Sequence, residues 1–209
     1  MILTPIRRDR LAGALDRVAG QLDDPAARAA FAGIRATAAE RADGAAAETH
    51  RQEALGLARR CGMRVHPAGA RPGFNWDGTA LDGDTEAYVI LHEVAHFVLA
   101  PPGRRALVDF GLGPGPDTTD RVAADRAADL PILAREADEA AASLLGILWE
   151  AALGHPALAS FLDQNWLEGL ERSAASHFTA VFRRLQRLGV VEPDTGFHPV
   201  DSPAPRERK

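Results

Sequence analysis

The sequence HEVAH at residues 92–96 is the strongest constraint on how this chain folds. On an α-helix, residues four apart lie one turn apart on the same face, so both histidines can bind one metal ion. The flanking residues from Tyr88 to Ala100 are almost all apolar, which predicts a buried helix. Two imidazoles and a carboxylate inside such a helix are costly unless a partner satisfies them. We therefore expect the chain to fold around a metal-binding helix.

Glu93 follows the first histidine of this motif, His92. At that position its carboxylate lies beside the metal and can hydrogen-bond a metal-bound water without being a ligand. A metal site that only stabilises a fold has no need of such an acid. Glu93 is therefore a candidate catalytic residue, and it argues against the alternative that the chain is a metal-stabilised binding or regulatory module.

Two imidazoles leave a metal ion short of ligands, so a carboxylate from a neighbouring helix is expected to complete the site. A long helix is predicted from about residue 132 to 153, and it carries Glu136 and Glu139 three residues apart. Glu139 extends toward the apolar side of this helix and is favoured as the third ligand. Glu136 and Asp109 stay open as alternatives, although an aspartate before a Phe-Gly turn often bonds local backbone N–H groups.

The proposed ligands are compatible with two different metals, each with its own kind of chemistry. Two histidines and one carboxylate suit zinc in a hydrolase, and the same set with open positions suits non-haem iron in an oxygenase. The single cysteine, Cys61, excludes a cysteine-rich metal site and an internal disulfide. It also favours a reducing compartment.

The charge pattern limits the partners. A net charge of −5 argues against non-specific binding to nucleic acid, which needs a basic surface. The charged residues at 7–10 stand where a signal peptide would have its apolar core. The longest apolar stretch contains the HEVAH motif, so it is not expected to span a bilayer. We expect a cytoplasmic protein without a membrane or direct nucleic-acid partner, and its oligomeric state stays open.

The predicted fold class is α+β and predominantly helical. Residues 1–61 have apolar positions at three- and four-residue steps and form the helical N-terminal part of one metal-binding catalytic domain at 1–190. Gly, Pro and Asp accumulate around 63–81, which predicts a small β-sheet beside the metal helix. Residues 191–209 contain several prolines and few apolar residues, and we expect a flexible C-terminal tail.

Residues 92–111 resemble the elongation factor P hydroxylase family. The shared features are an HE-x-x-H-aromatic helix, an alanine at 100, paired arginines at 104–105 and the sequence LVDFG at 107–111. A weaker resemblance covers roughly residues 63–190. The chain departs from the family after Gly111, where it has Leu-Gly-Pro-Gly-Pro in place of aromatic and cysteine residues.

This resemblance implies a function. The family hydroxylates a modified lysine on elongation factor P with a metal held by two histidines and a glutamate. Carried over, it implies His92, His96 and Glu139 as ligands. It also implies a protein substrate, with elongation factor P as the candidate. Fe(II) is then the favoured metal, and Zn(II) is the alternative.

The arginine pair after the metal helix is expected to form one wall of the cleft. The prolines at 101–102 turn the chain back just past the metal, which brings Arg105 within side-chain reach of a substrate. Arg105 is therefore a candidate catalytic residue. Arg104, Asp109, Glu136 and His177 are candidates for contacting the substrate or the metal ligands. Asn75 is a further candidate for lining the cleft.

A looser similarity points to zinc-dependent peptidases of the gluzincin type. The HE-x-x-H motif is followed by Arg-Glu-Ala-Asp at 135–138 and by two leucines at 144–145. In such an enzyme Glu93 would be the general base that activates a zinc-bound water. A zinc-dependent peptidase is therefore the alternative to the hydroxylase.

Overall fold

The computed structural model describes residues 8–115, 118–167 and 173–192. Nine α-helices lie within them: α1 (Arg8–Gln21), α2 (Pro25–Arg35), α3 (Gly44–Arg60), α4 (Ala87–Leu99), α5 (Pro102–Arg105), α6 (Arg121–Ala127), α7 (Ile132–Leu153), α8 (Ala157–Asp163) and α9 (Ala174–Arg187). A 3₁₀ turn at Val108–Gly111 follows α5. The helical character predicted from the sequence is confirmed. The predicted C-terminal tail lies outside the described residues beyond Glu192.

Local sequence explains where these helices begin and end. The Asp24 carboxylate accepts hydrogen bonds from the backbone N–H groups of Ala26 and Ala27, and Pro25 occupies the first position of α2. Gly154 ends α7 in the left-handed conformation, with φ 76°. None of the helices in the described ranges has the length and apolar character needed to cross a bilayer.

Helices α4 and α7 form the centre of the fold, and α4 packs against α7 more extensively than against any other described helix. Their contact is close because α7 has Gly146 opposite the motif helix. A Cβ atom added at Gly146 would lie 3.3 Å from the Cα and N atoms of His92. This glycine therefore lets the backbone of α7 approach the first histidine of the motif directly.

The predicted small β-sheet around 63–81 is wrong. In the described part of the chain this segment has only two isolated bridges, from Val65 to Leu81 and from Trp76 to Leu81. Its backbone is satisfied largely by turns and side chains. The Asp77 carboxylate, for example, accepts from the N–H groups of Thr79 and Ala80. The turn residues are too closely spaced for a ladder to extend.

Gly146→Val is expected to lower the free energy of unfolding by about 1–3 kcal/mol, because the side chain would push α7 away from α4. The same displacement would move Glu139 relative to the histidines, so metal affinity should also fall. Chemical denaturation and metal titration measure both effects. Gly33→Val is the matched control, since a Cβ at Gly33 meets nothing within 4 Å. Equal losses in the two variants would contradict the close-packing argument.

A partly buried polar cluster lies at the other end of α7. The sequence indicates that His50 is a surface residue and His155 a loop residue, but His155 is only 1% exposed. Its Nε2 lies 2.7 Å from a Glu53 carboxylate oxygen, and its ring stacks on His50 with centroids 4.0 Å apart. Nearby, burial raises the pKa of Glu150 to about 7, although a hydrogen bond from Ser160 opposes this shift.

Glu150→Gln is expected to stabilise the protein more at pH 8 than at pH 5. Because the folded-state pKa of Glu150 is raised from 4.5 to about 7, its protonated form stabilises the native state at low pH. That contribution is lost as pH rises through this window, by about 3 kcal/mol in total. Urea denaturation of both proteins at the two pH values measures the difference.

The matched control for this experiment is Glu40→Gln, which removes the same charge from an exposed side chain. A stability difference between the native protein and Glu150→Gln that stays constant from pH 5 to pH 8 would refute the prediction.

Candidate metal centre

Helices α4 and α7 bring three potential metal ligands together. The Nε2 atoms of His92 and His96 lie 3.0 Å apart. An oxygen of Glu139 lies 3.4 Å from the first and 3.3 Å from the second. Within the described residues this is the one group of three or more histidine, cysteine or acidic side chains whose ligand atoms lie within 4.8 Å of one another.

This triangle has the dimensions of a metal site. Ligand atoms bound at about 2.1 Å from one ion, at angles between octahedral and tetrahedral, lie about 3.0–3.4 Å apart. The three measured separations fall in this range. The donors, two imidazole nitrogens and one carboxylate oxygen, suit zinc and non-haem iron alike. The residues present therefore fit a divalent ion bound on one face.

The other two carboxylates considered from the sequence lie elsewhere. Glu136 is exposed, one turn before Glu139 on α7. Asp109 lies in the 3₁₀ turn with φ 44°, and its carboxylate accepts a hydrogen bond from the Thr118 hydroxyl at 2.7 Å. Burial raises the pKa of Asp109 despite that hydrogen bond. The geometry thus brings Glu139, and neither of these, to the two histidines.

The electrostatics of the triad favour ionised Glu139. Burial opposes its charge, but hydrogen bonds from both imidazoles outweigh this and hold the pKa of Glu139 well below its usual range. Burial lowers the pKa of His96. Burial would do the same at His92, but Glu139 and Glu93 stabilise the imidazolium and raise its pKa. An ionised carboxylate and a neutral His96 are the forms that bind metal.

Glu93 lies beside the triad without belonging to it. Its side chain is buried, and the Asn75 amide donates a long hydrogen bond of 3.5 Å to one of its carboxylate oxygens. Burial raises the pKa of Glu93 to about 7 against the opposing charge of His92. Both Glu93 and Asn75 line the cavity described next. Glu93 therefore holds the position that the motif predicts for an acid beside the metal.

A cavity of about 430 Å³ opens directly onto the three ligands. Its apolar surface includes Phe110, Leu112 and Trp166. Its polar groups include Thr118, Ser143, Gln164, Asn165 and His177. His177, a predicted site residue, stacks on Trp166 with ring centroids 4.9 Å apart. The metal site is therefore one wall of a pocket with mixed apolar and polar lining that is open to solvent.

The expected arginine wall does not line this cavity. The Arg105 guanidinium donates to the carbonyl of Ala100 at 2.9 Å and lies 4.8 Å from the Phe97 ring. It thus satisfies carbonyl groups at the C-terminal end of α4, which have no partner within the helix. Arg104 pairs with Asp138 at 2.6 Å. Neither arginine is among the described lining residues, so their observed contacts are structural.

Several cavity residues escaped the sequence analysis. Ser143 is four residues after Glu139, so a helical projection of α7 places it on the same stripe. That spacing was a usable signal. Gln164 and Asn165 follow α8, and only the packing of α8 beside α7 brings them to the cavity. Nothing local in the sequence indicates their position.

Comparison with known proteins assigns neither a family nor a function to this chain. No family model, curated protein or solved structure matches this chain. The resemblance carried by residues 92–111 is therefore an interpretation of the sequence, and the function has to be argued from the geometry of the site.

Proposed function

We propose that this chain is a metal-dependent hydroxylase that acts on a protein side chain, in the manner of the elongation factor P hydroxylases. The observation that carries the proposal is the triangle of His92, His96 and Glu139 on one wall of a pocket. Two histidines and a carboxylate on one face of an ion leave its other positions open, the arrangement used by non-haem Fe(II) oxygenases. In this site the open side faces the cavity.

The shape of the cavity favours a single side chain as substrate. Enzymes that hold an extended main chain often pair it with the edge of a sheet. The described residues around the metal helix form no sheet that could do so. A pocket of about 430 Å³ instead has room for one long side chain entering from the surface. These features support a folded protein as substrate, and elongation factor P is the candidate.

The charges of the cavity favour a neutral or cationic substrate. Glu93 and Asp109 line it together with the metal ligands, and its described lining includes no arginine or lysine. A lysine-derived side chain meets this requirement, because its amino group would be attracted to the carboxylates. A cytoplasmic location, expected from the single cysteine, belongs to the same proposal.

Fe(II), the favoured metal, would supply the redox chemistry that dioxygen requires. Hydroxylation converts one C–H bond to C–OH with one oxygen atom of O₂. The second atom leaves as water and takes up two protons and two electrons from an external reductant. The chain itself positions the substrate, excludes bulk water with Phe110 and Trp166, and holds a proton-exchanging group, Glu93, at the pocket wall.

A zinc-dependent peptidase is the second candidate, and the position of Glu93 favours it. The carboxylate lies next to the ligand cluster and opens onto the same cavity. A general base that activates a zinc-bound water has to occupy such a place. In this alternative Zn(II) replaces Fe(II), and the product is a cleaved peptide.

Anaerobic purification followed by elemental analysis and reconstitution tests the proposal. Protein loaded with Fe(II) or with Zn(II) is incubated with modified elongation factor P, a reductant and isotopically labelled dioxygen. Mass spectrometry then measures the gain of one labelled oxygen atom, and a peptide library measures cleavage. The Glu139→Gln variant is the inactive control, because it removes a ligand while preserving the shape of the side chain.

Incorporation of labelled oxygen by the Fe(II) protein alone would support the hydroxylase. Peptide cleavage by the Zn(II) protein without oxygen incorporation would refute it in favour of the peptidase. Stoichiometric metal with neither product would refute both and leave a metal-stabilised binding or regulatory module.

A further inference from the structure

A chain of polar groups leads from the protein core to the cavity. The Trp166 indole N–H donates to the Ser143 hydroxyl at 2.8 Å. The Ser143 hydroxyl in turn donates to the side-chain carbonyl oxygen of Gln164 at 2.5 Å. All three residues line the cavity, and both Trp166 and Ser143 are buried. Gln164 is therefore held by a buried serine whose own orientation is fixed by a tryptophan.

This chain fixes which end of the Gln164 amide is free. An indole N–H can only donate, so the Ser143 oxygen accepts from Trp166 and keeps its own hydrogen to donate. A separation of 2.5 Å lies in the range of O–H···O bonds and is too short for a usual N–H···O bond. The oxygen of Gln164 thus faces Ser143. Its NH₂ group has no hydrogen-bond partner among the described residues.

The serine that orients this donor lies on α7. Ser143 lies four residues after Glu139, about one helical turn or 6 Å along the same face. The Gln164 amide that Ser143 orients opens onto the same cavity as the metal ligands, where its N–H groups suit a hydrogen-bond acceptor on the substrate. A carboxylate would be poorly matched, because no arginine or lysine is among the described lining residues to balance its charge.

We propose that Gln164 is a specificity-determining residue that binds an uncharged carbonyl group of the substrate in the cavity lined by the metal ligands. Ser143 is the positioning residue that orients the amide. The inference rests on the proposed function only in that the same cavity receives the substrate. It adds a requirement that the metal ligands do not impose, since a substrate with a carbon group in place of the carbonyl would leave the amide donors unpaired.

Binding of small probes tests this inference without turnover. N-benzylacetamide carries the neutral carbonyl, and its hydrocarbon isostere lacks the amide. A third probe, 3-phenylpropionate, carries a carboxylate instead. Calorimetry on the full chain measures each Kd. The amide should bind the native protein about 2- to 10-fold more tightly than the isostere, as one hydrogen bond predicts. This ratio should fall to about one in Gln164→Leu, which keeps the volume and removes the donors.

Gln164→Glu is the second variant, because it preserves the shape and the bond from Ser143 but cannot donate when ionised. It should also lose the preference for the amide. Gln52→Leu, at an exposed glutamine on α3, is the matched control and should keep the native ratio.

An amide preference that is absent in the native protein, or retained in the folded Gln164 variants, would overturn the inference, as would a loss of affinity for the carboxylate probe in Gln164→Leu equal to the loss for the amide. These outcomes are independent of the hydroxylase assay. A protein that fails to hydroxylate but loses its amide preference in Gln164→Leu would refute the proposed function and support Gln164.

Discussion

The His96→Ala variant is expected to lose stoichiometric metal, with an affinity at least about 100-fold below that of the native protein. Loss of an outer hydrogen-bond partner of a metal ligand already costs about 10- to 100-fold, and His96 is placed as a direct ligand. Two donors would remain, His92 and Glu139, and a two-donor site binds weakly. Elemental analysis of protein purified without oxygen measures the effect, and His92→Ala should behave alike.

The matched control is His177→Ala, which removes the same side chain from the same cavity but outside the ligand triangle. It should retain full metal content. Circular dichroism separates metal loss from unfolding, because His96 is buried and its truncation leaves space beside Phe110. Full metal occupancy in folded His96→Ala would rule out the assigned triad.

The same measurement is expected to rank the two glutamates of α7 by their effect on metal retention. Glu139→Gln should lower metal retention far more than Glu136→Gln, since only Glu139 approaches both imidazoles. The reverse order would move the third ligand one turn along α7.

Glu93→Gln is expected to leave metal content unchanged and to separate the two candidate activities. The amide keeps the shape of the side chain but has no basic oxygen. Peptide hydrolysis depends on activating a water, so a peptidase should lose turnover by about 10²- to 10⁴-fold. A hydroxylase has no obligatory step at this base and should retain a measurable fraction of its activity.

The measurement pairs metal analysis with both assays on the same preparation of Glu93→Gln. Loss of metal would place Glu93 among the ligands and contradict the geometry, in which it lies outside the triangle. Peptide cleavage that persists at the native rate would eliminate the peptidase as an explanation.

The helices and the two histidines could be read from the sequence because their information is local. The HEVAH spacing specifies one face of a helix, and the long apolar pattern ending at Gly154 specifies α7. Glu139 could be favoured but not separated decisively from Glu136 by local pattern alone. That choice depends on how α7 is rotated against α4, which the contact at Gly146 reflects.

Two differences from the sequence expectations arise from the satisfaction of polar groups. Arg105 was expected at the substrate, but the unpaired carbonyls that end α4 lie closer and bind it. His155 lies in the loop between α7 and α8 as expected, but its burial and its pairing with Glu53 from α3 were not predicted. Predicting the partner of His155 requires the packing of elements that are far apart in sequence, which local periodicity does not contain.

The metal ligand, the amide-orienting serine and the close-contact glycine lie on one stripe of α7. This helix therefore fixes the spacing between the metal ligand and the serine. The axial separation of Glu139 and Ser143 is set by the rise of a rigid helix, whereas Gln164, which Ser143 orients, follows α8. This spacing cannot be lengthened gradually, because inserting one residue between Glu139 and Ser143 would rotate one of them by about 100° off the shared face. A change in the length of substrate that the site accepts would therefore have to arise in the segment that carries Gln164, while α7 stays unchanged.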